Sequence, residues 1–247
     1  MGRSHKRVEN LSVIRGNERA DLLSPSLVTF HAPTGPDAEA YRMLRTNLFY
    51  AVIDDPPKVV AVTSSGPREG KSTTCGNLGI TLAQAGNSVL LLDCDLRSPV
   101  QQWLFSLREG PGLVDVLAGG SSLHEAYQEP VSGLKVVSAG HVPPNPTEIL
   151  NSRRLSEFLI QARADFDYVL LDTPPVRLAS DSAILAKHAD GVLLVLDVQE
   201  ASKRSLRQAA KTLRGVGANV IGTVMNKAKA STDYASYGYP HRYHGGG

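Results

Sequence analysis

The feature that most constrains this chain is a short apolar run, Val59-Val60-Ala61-Val62, followed at once by Thr63-Ser64-Ser65-Gly66-Pro67-Arg68-Glu69-Gly70-Lys71-Ser72-Thr73 and then an amphipathic stretch. Strand, polar loop and helix in that order form a phosphate-binding loop. Backbone N–H groups of the turn and of the helix N-terminus face an anion, Lys71 adds a point charge, and Ser72 offers a hydroxyl to Mg²⁺. The strict pattern G-x-x-x-x-G-K-S/T is not met, because Ser65 stands where the first glycine belongs. The surrounding order of elements makes good that weakness and implies a nucleoside triphosphate site lined by Gly66, Pro67, Arg68, Glu69, Gly70, Lys71, Ser72 and Thr73. As a loop residue, Lys71 is expected at the surface, contributing little to core stability.

A chain of 247 residues fits one α/β domain with a sizeable core plus tails. The net charge of +2 gives no sign of a nucleic-acid partner, and no basic–aromatic stripe supplies one. No apolar run reaches the length of a membrane span, and no apolar signal region opens the chain, so a cytoplasmic protein is expected. The cysteines Cys75 and Cys94 both fall in the nucleotide-binding half and are expected as free, buried thiols.

Residues 1–36 lack hydrophobic periodicity, carry Arg3, Lys6, Arg7, Arg15 and Arg19, and end in proline and glycine; they are expected to form a mobile arm. From Asp37, a candidate cap, Tyr41, Leu44 and Leu48 mark a helix. Val/Leu-rich runs at 58–63, 88–93, 134–138, 168–172, 191–197 and 219–225 read as strands. Helical patterns fall at 72–85, 152–164, 180–188 and 202–214. Continuous apolar strands alternating with helices predict an α/β fold, a mostly parallel sheet with helices on both faces. The domain is expected over 37–229, followed by a flexible tail over 230–247.

Two strands end in aspartate, in Asp93-Cys94-Asp95-Leu96-Arg97 and in Asp172-Thr173-Pro174-Pro175. In a parallel sheet both ends lie on the edge that carries the phosphate loop. Asp172 has the position of the aspartate that holds Mg²⁺ in phosphoryl transfer. Asp93 and Asp95 share a face if the strand continues; one suits a metal-bound water and the other the proton of an attacking hydroxyl, in an order the residues leave open. Asn226, at the end of the last strand, has the position at which ATPases with similar motifs read the adenine edge, or else is a turn residue.

These motifs, in this order, resemble the bacterial tyrosine kinases of capsule and exopolysaccharide synthesis, a family with a P-loop NTPase fold. Two further segments are similar to that family: Ser138-Ala-Gly-His-Val-Pro-Pro-Asn-Pro-Thr-Glu-Ile-Leu150, and Glu39-Ala-Tyr-Arg42-Met-Leu-Arg45, which matches its E-x-x-R-x-x-R oligomerisation helix. The resemblance spans about Asp37 to Lys227 and implies ATP and Mg²⁺ as cofactors. It also implies a ring-like homo-oligomer joined through Glu39, Arg42 and Arg45, and protein tyrosines as substrates. On their own, those three residues read as a solvated face with a local Glu–Arg pair.

The stretch Ser231–Tyr243 holds Tyr234, Tyr237, Tyr239 and Tyr243, half of the chain's eight tyrosines, among residues that build no core. The family places its autophosphorylated tyrosine cluster here. Three departures stand beside the resemblance. Arg68 occupies a position usually held by glycine. Gly66 stands where the related Min- and Par-type ATPases carry a signature lysine, which disfavours their sandwich dimer. No membrane segment precedes the domain, as in split members that answer to a separate membrane activator and are recruited by it to the inner face of the membrane. The competing readings are a Min/Par-type ATPase switch and a non-catalytic nucleotide-binding regulator of polysaccharide export, the latter sustained by Arg68.

Overall fold

The computed structural model describes residues 22–52 and 56–228. In chain order these form α1 (Val28–His31), α2 (Pro36–Phe49), β1 (Val59–Ser64), α3 (Lys71–Gln84), β2 (Val89–Asp93), α4 (Gln101–Leu104), α5 (Leu113–Ala118), α6 (Leu123–Ala126), β3 (Tyr127–Val131) and β4 (Leu134–Val137). There follow α7 (Pro146–Leu150), α8 (Arg153–Asp165), β5 (Tyr168–Asp172), α9 (Asp181–His188), β6 (Gly191–Asp197), α10 (Lys203–Gly215) and β7 (Val220–Asn226).

The sheet is seven-stranded in the order β3-β4-β2-β5-β1-β6-β7, parallel except for the β3–β4 pair. Every residue of β1, β2, β5 and β6 is buried, as their unbroken aliphatic runs require of strands covered on both faces. Alternate side chains feed two cores. One side gathers Leu90, Leu92, Val169, Leu171 and Leu194 with α5, α8, α9 and α10. The other gathers Val60, Val62, Leu91, Leu170 and Val195 with α2 and α3. The order β5-β1-β6 sets the β1 C-terminus between two neighbours, so the loop after Ser64 opens onto the edge where Asp172 and Asp197 end their strands.

Two expectations are corrected. Residues 22–35, assigned to a mobile arm, are anchored on the domain: Leu23 and Leu27 are buried in the α3 side of the core, while His31–Thr34 are exposed. Thr29 donates to Asn77 Oδ1 through both its N–H (3.0 Å) and its hydroxyl (2.9 Å). The segment forms only one helical turn, too short to show a period. Asp37 does not cap its helix; Gly35 is the N-cap, Pro36 takes the first helical position, and Asp37 lies in the first turn. Residues 1–21, and the tail with Tyr234, Tyr237, Tyr239 and Tyr243, lie outside the described residues.

Candidate active site

The phosphate loop is braced from within. Glu69 is buried, and its carboxylate turns inward to accept from the Ser65 N–H (2.9 Å) and hydroxyl (2.7 Å). That bond explains a serine in the usual glycine position: its side chain is part of the brace. Ser64 Oγ donates to Gly66 O at 2.6 Å. Pro67 and Arg68 form the exposed tip, and Arg68 adopts φ 61°, the left-handed conformation that a glycine would supply. Arginine therefore takes up the loop geometry rather than altering it. Gly70, with φ 93°, starts α3, and a Cβ there would lie 2.0 Å from Asn226 Nδ2. Only glycine fits.

Asn226 closes the loop from the far strand, its amide donating to Glu69 O at 3.0 Å. Lys227, also left-handed (φ 57°), reaches Arg68 O at 3.4 Å and pairs with Asp197 at 2.5 Å. Lys227 carried no motif signal. The loop is thus tied to the end of β7, which leads into the C-terminal tail.

Lys71 is not a surface lysine. Its side chain is only 11% exposed, with Nζ 2.8 Å from Asp95 Oδ2, 3.7 Å from Asp172 Oδ1 and 3.0 Å from Ser72 Oγ. Burial works against its charge, but Asp172 and Asp95 outweigh that cost and hold its pKa above the ordinary lysine value. Ser72 is buried at the start of α3, and Thr73 follows it in the same first turn.

Asp93 and Asp95 do not share a face, because β2 stops at Asp93. The Asp93 carboxylate accepts from the N–H groups of Val100 (2.9 Å) and Gln101 (2.9 Å) through Oδ2, and from Asp95 N–H (3.3 Å) through Oδ1. It fastens the α4 N-terminus to the sheet edge. Asp95 turns instead to Lys71 and to the Ser98 N–H (3.1 Å). Burial and the neighbouring Asp172 push Asp93 well above the usual carboxylate range. Asp172 is also raised, by burial, with Lys71 and Gln101 opposing.

Gln101 is a site residue the sequence did not reveal. Fully buried, it donates to Asp172 Oδ2 at 2.8 Å and to Ser72 O at 3.1 Å. It lies in a segment without periodicity or motif, so only its position beyond Asp93 and Asp95 could have drawn notice. Arg97 and Thr147, both inside the quoted motifs, converge on buried Asp181 at 2.7 and 2.6 Å and tie the two motif loops to α9.

Mg²⁺ fits these residues. Asp172 Oδ1 is buried without a hydrogen-bond partner, and Ser72 Oγ is joined to the same lysine. Among the described residues no group of three or more His, Cys, Asp or Glu suits a metal ion on its own. A hard cation held by few side chains takes its other ligands from water and phosphate.

The triplet Glu39, Arg42 and Arg45 lies away from this edge, on α2. Arg42 pairs with Glu39 at 2.6 Å and donates to Pro33 O at 2.6 Å; Arg45 donates to Thr81 O at 3.0 Å. The local pair is formed within the chain. Cys75 and Cys94 are free and buried, and burial raises both thiols.

A parallel sheet with a glycine-started helix, a loop lysine among strand-end carboxylates and a free acceptor for Mg²⁺ defines a P-loop NTPase. Residues 57–225 match the family model described as an AAA domain. The chain is 37% identical to "Tyrosine-protein kinase YwqD" of Bacillus subtilis over 222 residues, covering 90% of this chain and 93% of that protein. It is 31% identical to "Tyrosine-protein kinase wzc" of Salmonella typhimurium over 94% of this chain, but spans only 32% of that longer protein. Among solved structures, the kinase domain of Escherichia coli tyrosine kinase ETK superposes with a TM-score of 0.78 at 30% identity, covering 88% of this chain and 86% of that one. The chain belongs to the bacterial tyrosine-protein kinase family.

Proposed function

We propose that this chain transfers the γ-phosphoryl group of ATP to tyrosines of its own C-terminal tail, Tyr234, Tyr237, Tyr239 and Tyr243, on neighbouring copies, and thereby regulates polysaccharide synthesis and export. The observation that carries this reading is Lys71 held between Asp95 and Asp172 beside Ser72, at the sheet edge from which β7 leads into the tail.

Lys71 and the loop amides over residues 66–73 receive the β- and γ-phosphates, and Lys71 exchanges its carboxylate partners for phosphate oxygens. Ser72 and Asp172 would hold Mg²⁺, with Asp93 contributing through water. When bound, the ion neutralises charge on the β/γ oxygens. Gln101 keeps one Asp172 oxygen occupied and so leaves the other for the metal. A tyrosine hydroxyl of pKa about 10 needs a base at neutral pH. Three main-chain donors already engage Asp93, whereas Asp95 is bound to the lysine that nucleotide draws away; this supports Asp95 as the proton acceptor. Asn226 stands beside the loop with its amide oxygen available to an adenine N–H donor.

The assembly we envisage is a ring built through Glu39, Arg42 and Arg45, in which Arg42 trades its own Glu39 for a carboxylate of the next copy. A separate membrane protein recruits and activates it at the inner face of the membrane. Among the described residues no helix is long and apolar enough to cross a membrane. Incubation with ATP and Mg²⁺, with and without the activator's cytoplasmic segment, followed by phosphotyrosine detection, separates a kinase from an ATPase that releases phosphate to water.

A further inference from the structure

The residues from 201 to 232 contain seven of the chain's 26 basic residues and none of its 24 acidic ones. Five of the seven, Lys203, Arg204, Arg207, Lys211 and Arg214, lie on α10 (Lys203–Gly215), and all five are exposed. At 100° per residue they fall within an arc of roughly 100°, a stripe about 16 Å long. The opposite side of the helix, Ser205, Ala209 and Leu213, is buried against the domain.

None of the five makes a salt bridge among the described residues; Arg214 only donates to Ala210 O, at 3.2 Å. The pairs Lys203–Arg207, Arg204–Arg207, Arg207–Lys211 and Lys211–Arg214 are like charges at i,i+3 or i,i+4, each opposing the helix by about as much as an ion pair there would stabilise it. A stripe that repels itself and has no partner among the described residues would be matched by an external array of negative charge.

We propose that α10 lies against an anionic lipid surface. The stripe is the outward face of one helix, a convex surface and not a cleft around a single phosphate. No aromatic residue occurs from 201 to 226 for stacking on bases. Beyond the helix, Val216 (37% exposed) and Val220 (38%) are exposed apolar residues. The inference rests on this charge arrangement and not on the kinase assignment.

The test is co-sedimentation of the full chain with phosphatidylcholine vesicles with or without a minority of phosphatidylglycerol. Binding is expected only to the anionic vesicles and should weaken with salt. The exposed-site variant Arg204→Gln, Arg207→Gln, Lys211→Gln should lower it by roughly 100-fold, while the charge-matched control Lys58→Gln, Arg108→Gln, Arg153→Gln should leave most of it. Equal binding to neutral vesicles, or equal loss in the control, overturns the proposal. So does duplex DNA that displaces the protein from vesicles and binds it more tightly than they do.

Discussion

Lys71 Nζ stands 2.8 Å from Asp95 Oδ2, so without nucleotide the loop lysine serves as counter-ion to a buried carboxylate cluster. Its replacement therefore affects more than catalysis. Lys71→Met should abolish phosphoryl transfer and also destabilise the nucleotide-free protein by about 3 kcal/mol at neutral pH, the usual cost of removing one partner from a buried pair. The loss should shrink toward pH 4. Without Lys71 the folded-state pKa values of Asp93 and Asp172 rise further, and that penalty is absent below their unfolded values and grows as pH increases. Thermal unfolding of both proteins at pH 7 and pH 5 checks this; equal losses at the two pH values would show that the lysine does not balance the cluster.

Asp172→Asn should raise the stability of the nucleotide-free protein while stopping phosphoryl transfer. Burial holds the Asp172 pKa above its unfolded value, so the folded carboxylate is a net cost that appears above about pH 4 and grows through its titration. An asparagine still accepts from Gln101 and carries no charge. The midpoint advantage of the variant, on the order of 1 kcal/mol, should be larger at pH 7 than at pH 5. A variant less stable than wild type at pH 7 would contradict it.

Arg68→Gly should keep or increase stability by up to about 1 kcal/mol, because relief of a left-handed arginine outweighs the added freedom of the unfolded chain. Denaturant midpoints decide this, and a clear loss would mean that the arginine side chain itself holds the loop.

Much of this architecture was legible because buried parallel strands leave aliphatic runs that nothing else in the chain resembles. Val89–Asp93 and Tyr168–Asp172 show both their strand character and their polar end. What stayed hidden had no period to display. The antiparallel edge strand Tyr127–Val131 is a half-exposed Tyr-Gln-Glu-Pro-Val with proline inside it. Leu23, Leu27 and Thr29 pack from a single turn. Gln101 acts through an amide placed by tertiary contact, and the burial of Lys71 follows from carboxylates distant in sequence. The Arg68 departure from the usual glycine was legible, but not that its backbone would still take the glycine conformation.

Arg42→Ala should lower the assembly state with little change in monomer stability, since Arg42 is partly exposed and its Glu39 partner lies one turn away. Self-phosphorylation per subunit should then fall on dilution, because a tethered tail at roughly millimolar effective concentration becomes a bimolecular substrate. Light scattering and a dilution series check both; unchanged mass and a dilution-independent rate would remove α2 from the assembly.

The central claim is tested most directly by mapping phosphate on the protein after incubation with ATP, Mg²⁺ and the activator's cytoplasmic segment. Mass spectrometry should find phosphotyrosine at Tyr234, Tyr237, Tyr239 and Tyr243. Changing those four to phenylalanine should remove most of it without altering nucleotide affinity, and Lys71→Met should remove it all. Nucleotide hydrolysis without phosphotyrosine, or phosphate found chiefly on Tyr41, Tyr50, Tyr127 or Tyr168, would contradict the account.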